Sequence, residues 1–282
     1  MRQGDKRRRL RRSRRHRPSV TDKTFPSARQ LVRWAREEVE RLDSASEAFL
    51  DSDPYTPVLD ADPETGDVFF KLRMAVVPDE ICKLASHALW DIKHALDHAT
   101  CAAARVITGG DVGDLHFPIA AHPNDLEAKL RHIPKGEIAP RYPAGLHDTF
   151  RSFEPYPTGD GYPGGGDEFV RLSKLANTTK HAIPLATVPR FDIASLEDTG
   201  ALHKVFMRWK PDRIGLWDGA KQELTIGVGR QGSKMEMNLQ IASFVAFGEI
   251  ELFEDYSAGW LLTQYADTAD AIISNLESAV FP

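Results

Sequence analysis

The chain has 282 residues, of which 41% are hydrophobic and 27% are charged, and its net charge is −5. This length suits one large domain or two modest ones, with enough apolar residues for a substantial core. No uninterrupted apolar run approaches the roughly 20 residues that span a bilayer, so the sequence predicts a soluble cytoplasmic protein without membrane contact. Two cysteines, Cys82 and Cys101, are too few for a disulfide framework, which is typical of a reducing compartment.

Basic residues are concentrated at the N-terminus. Residues 1–18 carry ten lysines and arginines against one acid, a net charge of +9, which leaves −14 for the rest of the chain. Such a block repels itself and has little to bury, so residues 1–25 are predicted to form a disordered basic tail. Three interpretations stay open: an arm that contacts phosphates, a solvated tail, or upstream sequence from a wrongly chosen start codon. The acidic remainder indicates that any RNA contact is local.

Hydrophobic spacing predicts an ordered series of elements after the tail. The first helix starts at Pro26 and carries Leu31, Trp34, Ala35 and Val39, and a hairpin of residues 55–61 and 67–76 follows it. Next come a long helix from Pro78 to Ile107, a short helix over Asp125–Leu130 and a helix from Asp167. The last elements are strands at 183–192, 203–210, 221–228 and 234–247 and a closing helix at 257–279. The fold class is α+β, a helical core with one long central helix packed beside an antiparallel β-sheet. We expect one domain over 26–282, helical to about 182, with the sheet and closing helix after it.

A glycine-rich stretch, Gly227–Gly232, matches G-x-G-x-x-G but is not expected to bind a dinucleotide. That function needs a helix directly after the glycines, whose N-terminus holds the pyrophosphate. The following residues alternate like a strand instead, so the stretch is interpreted as a hairpin turn. No cofactor is predicted.

A polar stripe follows the long helix. Its members are His87, Asp91, His94 and His98, which at about 100° per residue fall within a sector of roughly 60°. Three interpretations compete: a wet or hydrogen-bonded structural face, a metal site formed by these four residues, and acid–base catalysis by His98. Lys93 and Asp97 lie beside the stripe, four residues apart and able to pair. Cys101 is interpreted as a buried, inert thiol.

A second polar group lies at the end of the helix that starts near Asp167. Asn177, Lys180 and His181 share one face there, where a cation also suits the helix dipole. If this helix packs beside the long one, the two polar groups meet in one cleft. The candidate catalytic residues are therefore His98, Lys93, Asp97, Asn177, Lys180 and His181.

These two segments resemble a group of bacterial proteins without assigned function. The group carries L-R-x-A-L-D-H on a long helix and N-x-x-K-H downstream, and here Ala95–His98 and Asn177-x-x-Lys180-His181 match over roughly residues 27–185. Lys93 stands where the pattern has arginine, and lysine lacks arginine's planar, bidentate fork. The spacing from Lys93 to His98 is also similar to the R-x-x-x-x-H of HEPN-domain proteins, a helical family with many metal-independent ribonucleases that work as dimers.

The HEPN resemblance implies a protein that cleaves or binds RNA, in the manner of a defence or toxin ribonuclease, and a homodimer. In that scheme His98 acts as acid or base at a ribose hydroxyl and Lys93 lies beside the phosphate. Cleavage by an internal hydroxyl needs a base, an acid and a positive charge, for which the candidates are His98 and His181, with Lys93 or Lys180. Two alternatives remain: a metal-dependent enzyme that uses the polar stripe, and a non-catalytic interaction protein in which the same residues only hold helices together.

Overall fold

The computed structural model describes residues 23–131, 142–178, 185–190, 217–218, 221–230, 242–247 and 256–282. The helices in these ranges are α1 (Pro26–Leu50), α2 (Asp79–Thr108), α3 (Pro123–Arg131), α4 (His147–Ser152), α5 (Asp167–Thr178) and α6 (Ala258–Val280). The strands are β1 (Tyr55–Ala61), β2 (Asp67–Met74), β3 (Leu185–Arg190), β4 (Trp217–Asp218), β5 (Glu223–Arg230) and β6 (Ala242–Phe247). The predicted α+β class, with one long helix, is confirmed. No helix in these ranges combines the length and hydrophobicity needed to cross a membrane.

The long helix α2 lies at the centre of the hydrophobic core, against α1 and α6. Its small-residue face, which includes Ala85, Ala88, Ala95, Ala99 and Ala103, is fully buried. Small side chains let neighbouring helices approach closely, which explains how a 30-residue helix is packed from several sides. The helix ends where the sequence predicted, since Gly109 adopts a left-handed φ of 66° and donates its N–H to the Arg105 carbonyl.

The first helix packs on α6 as well as on α2, and its contacts correct two sequence-based expectations. Trp34, predicted on the buried stripe of α1, is half-exposed. Phe25, predicted to lie in the disordered tail, is buried against Phe281, and its N–H donates to a Glu277 carboxylate oxygen at 2.6 Å. Arg29 adds an ion pair to the same carboxylate at 2.5 Å. The folded body therefore includes residues just before Pro26, while residues 1–22 lie outside the described part.

The main sheet joins the two halves of the chain. Its strand order is β1-β2-β5-β4 with antiparallel pairing, so the predicted hairpin is confirmed, and β5 adds to β2 rather than to β6. A strand from the C-terminal part of the chain thus pairs with the hairpin of the first part. Strands β3 and β6 form a second antiparallel pair, whose Val245 and Phe247 belong to the helical core. The predicted strand at 203–210 lies outside the described residues.

The glycine-rich stretch begins inside a strand. Gly227 and Gly229 belong to β5, and a bulge in the β2–β5 register falls beside them, between Phe70 and Lys71. Glycine suits a bulge because it lacks a Cβ atom. The part of the stretch after Arg230 lies outside the described residues, so the predicted turn stays a prediction.

A buried carboxylate ties the strands of the main sheet together. Glu223 on β5 is opposite Arg73 on β2 in the register, and the two side chains form a 2.5 Å ion pair. Lys71 reaches Glu223 at 3.4 Å and Asp60 on β1 at 2.6 Å, so it links all three strands. The hydrogen bond from Arg73 is the main reason that the pKa of Glu223 lies below its ordinary value of 4.5.

Acid is expected to weaken the sheet through Glu223. A carboxyl group whose pKa is lower in the folded than in the unfolded state stabilises the fold above the unfolded pKa, and this contribution is lost as the pH falls through the folded value. We expect Glu223→Gln to be less stable than the wild type at neutral pH. The difference should shrink as the pH falls below the ordinary pKa of 4.5, because the carboxyl then takes up a proton more readily in the unfolded chain than in the folded protein. Urea denaturation of both proteins down to about pH 3 measures this, and a constant difference contradicts it.

Candidate functional site

A pocket of about 220 Å³ lies between α2, residues 116–119 and α5. Its polar lining consists of Lys93, Asp97, His116, Ser173 and Asn177. Apolar side chains complete the walls, among them Leu96, Phe117, Ile119 and Leu172. The pocket therefore combines a cation, a carboxylate and an imidazole with an apolar surface, as binding sites for small groups do.

Asp97 holds the polar side of this pocket together. Its Oδ1 accepts the backbone N–H of Phe117 at 2.8 Å, and its Oδ2 accepts Nδ1 of His116 at 2.9 Å. The Lys93 ammonium lies 3.4 Å from the same Oδ2. The Asp97 side chain is only 14% exposed, so these donors replace most of its contact with water. One carboxylate thus places an imidazole and an ammonium side by side.

The backbone around His116 is fixed by hydrogen bonds from three residues. The Cys101 thiol hydrogen-bonds with the carbonyl and the N–H of Leu115, at 3.2 and 3.4 Å. The hydroxyl of Tyr142 donates to the His116 carbonyl at 2.8 Å, and Asp97 accepts the Phe117 N–H. Cys101 is half-buried, as a structural thiol would be, and it helps to hold this segment. Adjacent backbone groups are therefore held on both sides of His116.

The His116 imidazole combines this rigid backbone with access to solvent. Its side chain is 64% exposed. Because an ionised carboxylate can only accept, Nδ1 carries the hydrogen that binds Asp97, and Nε2 is then the acceptor nitrogen of the neutral ring. Within the described residues, no protein group bonds to Nε2. The ring is therefore oriented by one nitrogen and available for proton transfer at the other.

His116 was not among the predicted site residues. It lies in the irregular segment between α2 and α3, residues 109–122, with no periodic spacing that relates it to Asp97. The contact joins residues 19 apart through the turn that follows α2. Such a contact depends on the path of that segment, for which the sequence carries no simple signal.

Asn177 is the one described residue of the second predicted polar group, and it lies in the pocket beside α2. It lines the pocket together with Lys93 and Asp97, so the ends of the α2 and α5 motifs meet across one cleft. Ser173 lies one helical turn earlier on the same wall. Lys180 and His181 lie outside the described residues, and their proximity to the pocket remains a prediction.

His98 lies apart from these residues. Its Nδ1 is 2.7 Å from the hydroxyl of Ser27, in the first turn of α1, and its side chain does not line the pocket. Successive helix residues differ by about 100°, so Asp97 and His98 point in different directions from α2. The structure thus separates His98 from Lys93, Asp97 and Asn177, and its catalytic role stays a prediction.

The rest of the polar stripe lies on the outer side of α2. His87 and His94 are exposed, and the His94 ring packs on Trp90 with centroids 5.5 Å apart. Burial raises the pKa of Asp91, while His94 and His87 act in the opposite direction. Across the described residues, no three histidine, cysteine, aspartate or glutamate side chains are grouped closely enough to hold a metal ion. The four residues of the alternative metal site, His98 included, are all described and form no such group.

The chain matches no protein family model. No curated protein and no solved structure is similar to it.

Proposed function

We propose that this protein cleaves RNA without a metal ion and that the pocket between α2 and α5 is its active site. The observation that carries the proposal is the carboxylate of Asp97, which binds the exposed imidazole of His116 and the ammonium of Lys93 through one oxygen. An oriented base next to a cation is the arrangement that cleavage by an internal hydroxyl requires.

The proposed reaction uses the ribose 2′-hydroxyl as nucleophile. His116 Nε2 removes its proton, the 2′ oxygen attacks phosphorus, and the bond from phosphorus to the 5′ oxygen breaks. The products are a 2′,3′-cyclic phosphate and a 5′-hydroxyl, so no oxidant or external nucleophile enters. The Lys93 ammonium stabilises the negative charge that grows on the phosphoryl oxygens. His181 stays the predicted donor of a proton to the leaving 5′ oxygen.

Three further points support RNA as the substrate. The nucleophile belongs to RNA itself, so the site needs only proton transfer and positive charge, which His116 and Lys93 can supply. The basic residues 1–18 offer additional contacts to phosphates. If the resemblance to HEPN-domain ribonucleases holds, Lys93 would likewise lie beside a phosphate, although the base would then be His98.

Incubating the purified protein with mixed single-stranded RNAs in excess chelator tests this proposal. We expect fragments that end in a 2′,3′-cyclic phosphate and begin with a 5′-hydroxyl, identified by mass spectrometry. DNA of the same sequence is the matched control, since it lacks the nucleophile and should stay intact. Intact RNA in this assay, or equal cleavage of the DNA, contradicts the proposal. Activity that appears only after a divalent metal is added favours the metal-dependent alternative.

A second candidate function is a non-catalytic interaction protein. The observation in its favour is the hydrogen bond from the Phe117 N–H to Asp97, which fastens the segment after α2 to the helix without any chemistry. In this case Asp97 matters for stability, whereas the exposed ring of His116 matters little. The two candidates therefore differ in the effect expected for His116.

A further inference from the structure

The size of the pocket limits how much of an RNA chain can enter it. Its volume of about 220 Å³ is below the range of roughly 300–1,000 Å³ typical of pockets for drug-sized ligands. A single ring with its substituents fits such a space, whereas two stacked nucleotides do not. One nucleobase is therefore the largest part of an RNA substrate that the pocket can enclose.

The walls favour a base over a phosphate in the interior. Leu96 and Leu172 are nearly fully buried side chains that contribute to the lining together with Ile119. Apolar walls suit the face of an aromatic ring, but they would leave a phosphate without partners for its charge. The cation, Lys93, belongs to the α2 side of the pocket, next to Asp97 and His116. The phosphate is then best placed beside the Lys93 ammonium and the His116 imidazole, away from the Asp97 carboxylate, with the base against the apolar surface.

The α5 wall supplies polar groups that can recognise the edge of a base. Ser173 and Asn177 are one helical turn apart, and both line the pocket. Among the described residues, neither side chain has a hydrogen-bond partner. An asparagine amide offers a donor and an acceptor together, as paired contacts to a base edge require.

We infer that the pocket holds one unstacked base of single-stranded RNA and that Asn177, assisted by Ser173, determines which base is preferred. This inference rests on the proposed function, because it places the base next to the phosphate that Lys93 and His116 would act on. A base inside a duplex is stacked and paired, so it cannot enter without being extruded. The substrate is therefore a single strand, loop or end.

Binding, measured apart from cleavage, tests the inference. The His116→Ala protein is titrated with fluorescent homopolymers of A, U and C, and with an RNA duplex, while anisotropy is recorded. We expect one homopolymer to bind about 5–150-fold more tightly than the other two, the range typical of one paired base contact. The duplex should bind more weakly than the preferred single strand.

Adding Asn177→Ala to this protein should remove the preference and leave the three affinities similar. Asn275→Ala is the matched control, since Asn275 is an exposed asparagine on α6 that does not line the pocket. Equal binding of all homopolymers, no binding, or a preference that survives Asn177→Ala overturns the inference. His116→Asn repeats the test if the alanine variant does not fold. If the wild type cleaves RNA and the binding test gives one of these results, the inference about the base is wrong but the proposed function holds. If the wild type does not cleave RNA, the proposed function itself is wrong.

Discussion

Replacing His116 by alanine is expected to lower the rate of RNA cleavage by about 10²–10⁴-fold, the usual contribution of a general acid or base. The ring is oriented by Asp97 through Nδ1, and its Nε2 has no protein partner within the described residues. Because the side chain is 64% exposed and Asp97 keeps its contacts with Lys93 and the Phe117 N–H, removal of the imidazole should lower the melting temperature less than Asp97→Asn does. Single-turnover cleavage and thermal unfolding of the same preparations measure both effects.

Lys83→Ala is the control for surface changes on the same helix, since Lys83 is exposed on α2 and does not line the pocket. It should leave cleavage unchanged. His98→Ala separates the two possible positions of the base, because His98 contacts Ser27 rather than the pocket. If His98→Ala abolishes cleavage and His116→Ala does not, the reaction takes place beside His98 and Ser27, where α2 contacts the start of α1. The assignment of the pocket would then be wrong.

Replacing Asp97 by asparagine is expected to reduce stability and cleavage together. The asparagine amide keeps one oxygen acceptor, but its NH₂ group replaces the other oxygen and faces a hydrogen-bond donor. In one orientation of the amide that donor is the Phe117 N–H, and in the other orientation the NH₂ group faces Nδ1 of His116 and the Lys93 ammonium. Losing hydrogen bonds at a largely buried carboxylate should cost about 1–3 kcal/mol in the free energy of unfolding. Without the Asp97 carboxylate, the His116 imidazole can shift from its position, and a displacement of about 1 Å should slow cleavage by roughly 10²-fold. Urea denaturation and cleavage rates measure the two losses.

Asp111→Asn is the matched control for this change. Asp111 is 87% exposed and lies 3.7 Å from Arg105, so its loss should cost less than about 1 kcal/mol. An Asp97→Asn protein that loses stability but cleaves at the wild-type rate would make Asp97 a structural residue only. That outcome, combined with an inactive wild type, supports the interaction-protein alternative. Unchanged stability instead contradicts the role of Asp97 in holding residues 116–117.

Individual helices and hairpins of this protein can be predicted from its sequence, because they depend on residues close together along the chain. The alanine-rich face of α2 repeats at helical spacing, and Gly109 marks the end of that helix. The hairpin of β1 and β2 follows from two alternating strands and a short turn. Asn177 was also found in this way, as one of three polar residues on a helix face. These features require only periodicity and the conformational preferences of single residues.

Long-range partners could be identified only in the tertiary structure. Strand β5 could have paired with β6, but it completes the sheet of β1 and β2, where Glu223 meets Arg73. His116 reaches Asp97 because the chain turns back after α2, whereas His98, adjacent to Asp97 in sequence, is directed at Ser27. Periodicity in the sequence predicted five of the described helices, though not the short α4, and the residue types indicated which side chains can transfer protons. The packing of those helices decided which of these residues share a pocket, because that depends on contacts between segments distant along the chain.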